Sequence, residues 1–201
     1  MTRIESWGIL LAAGTSQRMG RHKLLLDFGG EPLVRRAARA LLACELAGVL
    51  VVTGRDPQGI QLTLAGLQVS YAHNSDFEWG ELPSSIATGL RSLPTTATGA
   101  LLMLADMPFV GSTHLNRVLE RIRQGHPTLS RYGSVTAPPH YVPRIAFEVV
   151  LREFDTGTPK TLPRMLASHA CYAEQPEADL IDVDDELALS LALKRLTAAS
   201  E

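Results

Sequence analysis

The stretch Trp7-Gly8-Ile9-Leu10-Leu11-Ala12-Ala13-Gly14-Thr15-Ser16-Gln17-Arg18-Met19-Gly20-Arg21-His22-Lys23 decides the fold. Trp7 to Ala12 lacks polar alternation, which is the pattern of a short strand buried on both faces. A glycine-punctuated loop follows, and a helical pattern opens at Glu31. Similar apolar runs recur at Gly48–Thr53, Leu67–Ala72 and Gly99–Ala105. Between the first two strands, Glu31–Glu45 places Leu33, Val34, Ala37, Ala38, Leu41 and Leu42 at helical spacing, with Pro32 in a first turn that tolerates it. Further helices are predicted over Asp56–Ala65, Pro83–Ser92, Ser112–Gln124, Arg144–Phe154, Pro159–Ser168 and Asp185–Ala198. Strands alternating with helices imply a mainly parallel sheet covered on both faces, a three-layer α/β/α sandwich. Past about residue 125 the pattern loosens. Pro138, Pro139 and Pro143 are expected to break any central strand, leaving edge or antiparallel elements there.

Composition bounds the function. The 201 residues are 45% hydrophobic and 20% charged, which is globular rather than disordered or fibrous. Nineteen Lys and Arg against 21 Asp and Glu lack the basic excess of a nucleic-acid binder. Cys44 and Cys171 lie far apart and fit a reducing compartment better than a disulfide scaffold. The longest apolar runs are about seven residues, against the ~20 needed to span a bilayer. The expectation is one cytoplasmic domain over residues 1–201, with no membrane or nucleic-acid partner.

Ligands of parallel α/β sheets sit beyond the carboxyl ends of the strands, so the loop after the first strand carries most weight. Gly14 and Gly20 permit a tight turn with exposed amides. Thr15 and Ser16 offer hydroxyls, and Arg18, Arg21 and Lys23 add cations with no acid among them. That chemistry suits a nucleoside triphosphate. The loop is neither a P-loop nor a dinucleotide fingerprint, and glycine spacing alone reads equally well as a solvated strand–helix connection.

Residues 11–25, Leu-Ala-Ala-Gly-x-Ser-x-Arg-Met-Gly-x-x-Lys-Leu-Leu, resemble the signature of the molybdenum cofactor cytidylyltransferases, relatives of the guanylyltransferases acting on the same cofactor. The resemblance implies a Rossmann-like nucleotidyltransferase fold, with a nucleotide-binding half over 1–125 and an acceptor-binding half plus C-terminal helix over 126–201. It implies that Leu11, Ala12, Ala13, Gly14, Thr15 and Ser16 hold the base and phosphates. Arg18 then grips the triphosphate tail and Lys23 the reacting phosphate. Ala13 goes with the cytidylyl branch, since a methyl in place of hydrogen narrows the base pocket; Met107 resembles the guanylyl branch.

Other segments bear on the same chemistry. Asp106 stands just past a buried strand, held by Pro108, and is suited to Mg²⁺; Ser112 or Thr113 is expected to cap the next helix. In Leu180-Ile181-Asp182-Val183-Asp184-Asp185 a short strand is expected to lead into a helix. Asp182 is assigned as the second metal ligand and Asp184 as the N-cap. Ser84 and Ser85 open a helix after Pro83 and resemble the family's serine-rich nucleotide-binding stretch. Val135–Pro143 and Asp155-Thr156-Gly157 correspond to the acceptor region, where His140 is a candidate substrate contact; His22 is another, in the phosphate loop. The implied reaction is Mg²⁺-dependent transfer of CMP from CTP (or GMP from GTP) to a molybdopterin-type phosphate. A molybdenum hydroxylase could receive the product. Another small phosphate acceptor such as a sugar phosphate, or a non-catalytic cofactor-delivery module, are the alternatives.

Overall fold

The computed structural model describes residues 5–14, 22–78, 82–122, 125–156 and 161–198. The sheet is ordered β3-β2-β1-β4-β6-β5-β7. Its strands are β1 (Ser6–Ala12), β2 (Gly48–Thr53), β3 (Ser70–His73), β4 (Gly99–Leu104), β5 (Thr128–Tyr132), β6 (Val135–Pro143) and β7 (Cys171–Gln175). β1 pairs in parallel with both β2 and β4, while β6 alone runs antiparallel to its neighbours β4 and β5. The helices are α1 (Leu33–Leu42), α2 (Pro57–Thr63), α3 (Leu82–Ser92), α4 (Ser112–Leu119), α5 (Phe147–Asp155), α6 (Leu162–Leu166) and α7 (Glu186–Ala198). This is the mainly parallel, three-layer α/β/α architecture expected from the sequence. Among the described residues no helix is long and apolar enough to cross a membrane.

Alternation along the strands sorts the core into two layers. Leu10, Ala12, Val51, Leu101 and Met103 face one side and meet Val34, Ala38, Leu41, Leu115 and Val118 of α1 and α4. Ile9, Leu11, Val52 and Leu102 face the other and meet Ile86, Leu90, Phe147, Val150 and Leu162 of α3, α5 and α6. A third cluster, Phe28, Leu33, Val183, Leu189 and Ala192, seats α7 beside α1.

Gly89 shows how closely α3 lies on the sheet. A Cβ there would stand 2.9 Å from Ile9 Cγ2 and 3.2 Å from Val52 Cγ2.

The expectation of antiparallel elements here holds, since β6 runs antiparallel to β4 and β5, but the expectation that its prolines break any central strand is overturned: β6 is interior, between β4 and β5. Proline is costly in a sheet because it cannot donate to a ladder; Pro143 stands at the end of the β4 ladder, opposite Gly99, and both ladders bypass Pro138 and Pro139. Pairing with β4 runs from Pro143 to His140 and stops, so Ala137, Pro138 and Pro139 extend past its end. Pairing with β5 shifts register between Leu129 and Arg131, opposite the same residues. Side-chain hydroxyls serve the proline carbonyls instead: Tyr132 Oη donates to Pro138 O at 2.9 Å and Ser130 Oγ to Pro139 O at 2.6 Å. Helix boundaries also differ. α4 ends at Leu119, and a 3-10 turn at Arg144–Ala146 precedes α5. The caps of α4 were expected at Ser112 or Thr113, but Gly111 holds that position and donates its amide to His114 Nδ1 at 3.3 Å.

Gly89→Ala should destabilise the protein by about 1–3 kcal/mol through overpacking against Ile9, read as a lower urea midpoint with unchanged slope.

Candidate functional site

The chain leaves β1 toward β2 and β3 on one side and returns through β4 on the other, so the strand order reverses between β1 and β4. Connections diverge at such a point and leave a crevice beyond the carboxyl ends. The Ala105 amide donates to Leu11 O at 3.2 Å, tying the two strand ends together at its floor. Leu11 to Gly14 lie on one lip and Asp106 on the other; Thr15, Ser16 and Arg18 lie outside the described residues.

Two residues not singled out from the sequence shape the first lip. Gly54 ends β2 against the backbone of Ala13, where a Cβ would lie 2.5 Å from Ala13 O and 2.9 Å from its Cα. Asn74 follows β3, is 2% exposed, and donates through Nδ2 to Ser84 Oγ at 2.9 Å and Ser85 Oγ at 3.1 Å. Its Oδ1 accepts from the Asp76 amide at 3.1 Å, which fixes the amide orientation. Asn74 therefore aims both serines at the start of α3. The signal was available: Gly14, Gly54, Asn74 and Asp106 each follow directly on a strand of the parallel sheet or lie within two residues of its end.

Lys23 opens a 3-10 turn at Lys23–Leu25 and reaches across the crevice. Its Nζ donates to Asp106 Oδ2 at 2.6 Å and to Asp184 Oδ1 at 2.8 Å. Burial pulls the ammonium's pKa down, but the two carboxylates outweigh it and the net shift is upward, so Lys23 stays charged. The backbone brings the C-terminal acids to the same place, because the Val183 amide donates to Asp106 O at 3.0 Å. Arg36 of α1 holds the opposite flank through a 2.8 Å bond from Nε to Pro108 O.

Asp182 stands beside this pair. Its tip keeps access to solvent, yet burial of its surroundings, with the charges of Asp106 and Asp184, raises its carboxyl to about 6 despite Lys23. Residues 180–184 form no strand, contrary to expectation. The assignment of Asp184 as N-cap is also overturned. Asp185 Oδ1 accepts from the Ala188 amide at 2.8 Å, leaving Asp184 turned toward Lys23. The cap shifts by one residue because Val183 must bury against Phe28 and Leu33, which points its neighbours Asp182 and Asp184 out toward the crevice.

Residues 8–171 match the MobA-like NTP transferase domain. The chain belongs to that family. It is 28% identical over 187 residues to the purine catabolism protein PucB of Bacillus subtilis, spanning 88% of this chain and 90% of that one. It is 34% identical over 143 residues to a probable molybdenum cofactor guanylyltransferase of Natronomonas pharaonis, spanning 70% and 68%. A nucleotidyl transferase structure from Methanothermobacter superposes with a TM-score of 0.83 over 97% of this chain and 99% of that one, at 19% identity. The enzyme class expected from residues 11–25 therefore stands: this is a nucleotidyltransferase of the MobA-like family.

An oxygen-only acidic set fits a hard divalent ion. Among the described residues no three His, Cys, Asp or Glu side chains form a ready cage. Mg²⁺ commonly takes one or two carboxylates and completes its shell with water and substrate phosphates, so a full cage is not required. Asp106 Oδ1 is buried and has no hydrogen-bond partner among the described residues, as expected of an oxygen kept for a cation. His22 and His140, the two histidine candidates, fall on opposite ends of the site. His22 precedes Lys23, whereas His140 lines a cavity on the far side of the sheet.

Two outcomes are expected. Because Asp182 titrates higher folded than unfolded, the metal-free native state binds more protons between about pH 4 and 6, and stability falls as pH rises through that window. Asp182→Asn should therefore raise the Tm of EDTA-treated protein at pH 7.5, and the difference should close toward pH 4. Asn74→Ala, which removes the amide contacts that position Ser84 and Ser85, should raise the nucleotide KM about fivefold or more, with Tm lowered by only a few degrees.

Proposed function

We propose that the chain transfers the CMP group of CTP to the phosphate of a molybdopterin-type acceptor and releases pyrophosphate. The observation that carries this reading is the Lys23 ammonium bridging Asp106 and Asp184 at the reversal of strand order, with Asp182 beside them. Asp106, whose Oδ1 is buried without a hydrogen-bond partner among the described residues, and the neighbouring Asp182 offer the one or two carboxylates a Mg²⁺ ion commonly takes, and the loop from Leu11 to Gly14 would offer amides to the phosphates that complete its shell.

In the proposed step an acceptor phosphate oxygen forms a bond to the α-phosphorus. The bond from that phosphorus to the β-bridging oxygen breaks, and pyrophosphate leaves with its electron pair. An anionic phosphate needs no strong base to attack, which agrees with a site whose central groups are one ammonium and three carboxylates. Positioning and charge neutralisation carry the rate. Lys23, kept protonated, donates to the phosphoryl oxygens as negative charge moves onto them. Asp106 and Asp182 would hold Mg²⁺, which when bound neutralises phosphate charge and orients the reacting groups. Asp184 aims Lys23, and Arg18 would take the departing pyrophosphate.

Ala13 favours CTP. It is 5% exposed, and its backbone lies so close to Gly54 that a Cβ there would stand 2.5 Å from Ala13 O, so this end of the loop would have little room to shift for a larger base. A second reading, GTP as donor, is supported by relatives named as molybdenum cofactor guanylyltransferases. A molybdenum hydroxylase would be the recipient of the product under either reading.

Mixing protein, Mg²⁺ and molybdopterin with CTP or GTP should release pyrophosphate, faster with CTP. Faster release with GTP would select the second reading; release only with a sugar phosphate would change the acceptor. No release with any acceptor would leave a non-catalytic delivery module. Lys23→Ala should reduce turnover by about 100-fold or more with an unchanged far-ultraviolet CD spectrum.

A further inference from the structure

Asp182 and Asp184 stand on a segment that neither a sheet ladder nor a helix holds. Residues 180–184 form no strand and no helix. Among the described residues, 182–184 make one backbone hydrogen bond, from the Val183 amide to Asp106 O at 3.0 Å. That bond and the buried Val183 side chain fix one point and leave the chain able to pivot about it. Contacts on either side must set the angle at which the two acids face Lys23.

Those contacts converge on Asp179, three residues before Asp182. Its side chain is 18% exposed, and both carboxylate oxygens are engaged. Oδ1 accepts from Arg195 Nη2, and Oδ2 accepts from His114 Nε2 at 3.1 Å. His114 is a buried residue of α4 whose Nδ1 takes the Gly111 amide at 3.3 Å, which leaves Nε2 as the protonated nitrogen. Burial holds this imidazole below its ordinary pKa although Asp179 pulls the other way, so at neutral pH the ring is a neutral donor of fixed tautomer.

Arg195 closes the arrangement. It stands in the last turn of α7, the helix that follows the acids, and its Nη1 donates to Ala178 O. The guanidinium thus binds the chain just before the acids, while its own helix carries the chain just after them. Its flat face lies over the Phe109 ring, 4.1 Å from the centroid and three residues past Asp106. Phe109 in turn meets Phe28 edge-on, with 5.8 Å between centroids, five residues past Lys23. A planar guanidinium that donates through two nitrogens and stacks through its face has little freedom to reorient. The three stretches that bring charged groups to the crevice therefore meet on one flank at Arg195.

We propose that Asp179 is a positioning residue: the clamp it forms with Arg195 and His114 sets the reach of Asp184 to Lys23 and the place of Asp182 beside Asp106. Its bearing on turnover rests on the nucleotidyl-transfer reading above, whereas its hold on Lys23 does not. A carboxylate shared by donors from two helices keeps its direction, since moving it breaks two hydrogen bonds at once, one of them charge-assisted. Release of the clamp lets 179–184 pivot about Val183, and the half-exposed Asp184 is then the group drawn off the ammonium. Misplacing a reacting group by about 1 Å costs on the order of 100-fold in rate.

The test observes Lys23 itself. The lysines of the chain are Lys23, Lys160 and Lys194, so full-length protein labelled with ¹³Cε-lysine gives a sparse spectrum in which Lys23→Arg identifies the Lys23 signal. In EDTA at pH 7.5, Asp184→Asn marks where that signal goes when the contact is lost. Asp179→Asn keeps an acceptor for His114 but removes the charge that holds Arg195, and Arg195→Met keeps the stem but removes the donors. Each should move the Lys23 signal most of the way to its Asp184→Asn position, and Arg195→Lys should move it less than Arg195→Met. In pyrophosphate release both should lower kcat about tenfold or more with the nucleotide KM within about twofold. A Lys23 signal at its wild-type position in either variant overturns the inference, whatever happens to kcat, because a merely structural role predicts that result. An unchanged kcat in an active enzyme whose signal has moved overturns it too. Should Asp179→Asn fail to fold, Arg195→Met, which alters a partly exposed side chain, decides alone. Moved signals in a protein whose wild type releases no pyrophosphate would keep the clamp and sink the proposed reaction, whereas release by wild type with unmoved signals in the variants would do the reverse.

Discussion

The Lys23 ammonium is the constraint on which the site depends. It joins three segments far apart in the chain: the turn that closes the nucleotide loop, the end of β4, and the approach to α7. Each supplies a group that would be unfavourable alone. A half-buried ammonium loses hydration, and three neighbouring carboxylates repel one another. Together they offset these costs, and the upward shift of Lys23 measures which effect wins. The Val183 amide on Asp106 O and the burial of the Val183 side chain hold the C-terminal segment where Asp184 can reach. The contact that closes the fold over the crevice is the one on which the proposed reaction would draw. Burial and the neighbouring charges of Asp106 and Asp184 raise the Asp182 carboxyl beside it.

The two faces of the sheet then divide the work. Residues beyond the carboxyl ends of β1 and β4 are charged and amide-rich, suited to phosphates. The face beneath α3, α5 and α6 is apolar and opens into the cavity at His140. Leu11 belongs to both. Its side chain packs into the apolar face and lines the cavity, while its carbonyl binds the Ala105 amide at the strand reversal. A strand is the element that can do this, since its backbone runs to the crevice as its side chains alternate between faces.

β6 shows how an unfavourable sequence is accommodated. Pro138 and Pro139 would interrupt a continuous ladder, so they sit past the last residue paired with β4, His140, and at a register shift against β5, and hydroxyls of Ser130 and Tyr132 donate to their carbonyls. The same displacement leaves open space beside Ala137 and Pro138, and both line the cavity.

The sequence alone determined the layered α/β plan, because unbroken apolar runs separated by helical spacing admit few other burials. Its resemblance to a family signature over residues 11–25 marked the glycine-and-cation run at a strand end as a candidate phosphate loop, and the placement of Asp106 and Asp182 beside buried residues marked them as candidate ligands. These are local patterns, readable within about twenty residues. Tertiary structure alone decided the rest. Asp184 became the partner of Lys23, and not a helix cap, because the choice depends on a residue 161 positions away and on which way buried Val183 turns the backbone. The prolines of β6 could enter the sheet interior because their partners lie on another strand. Asn74 and Gly54 took their places only when β3 and β2 were set beside α3 and the end of β1, since hydrogen-bond reach and close approach are properties of distance in space and leave no period in the chain.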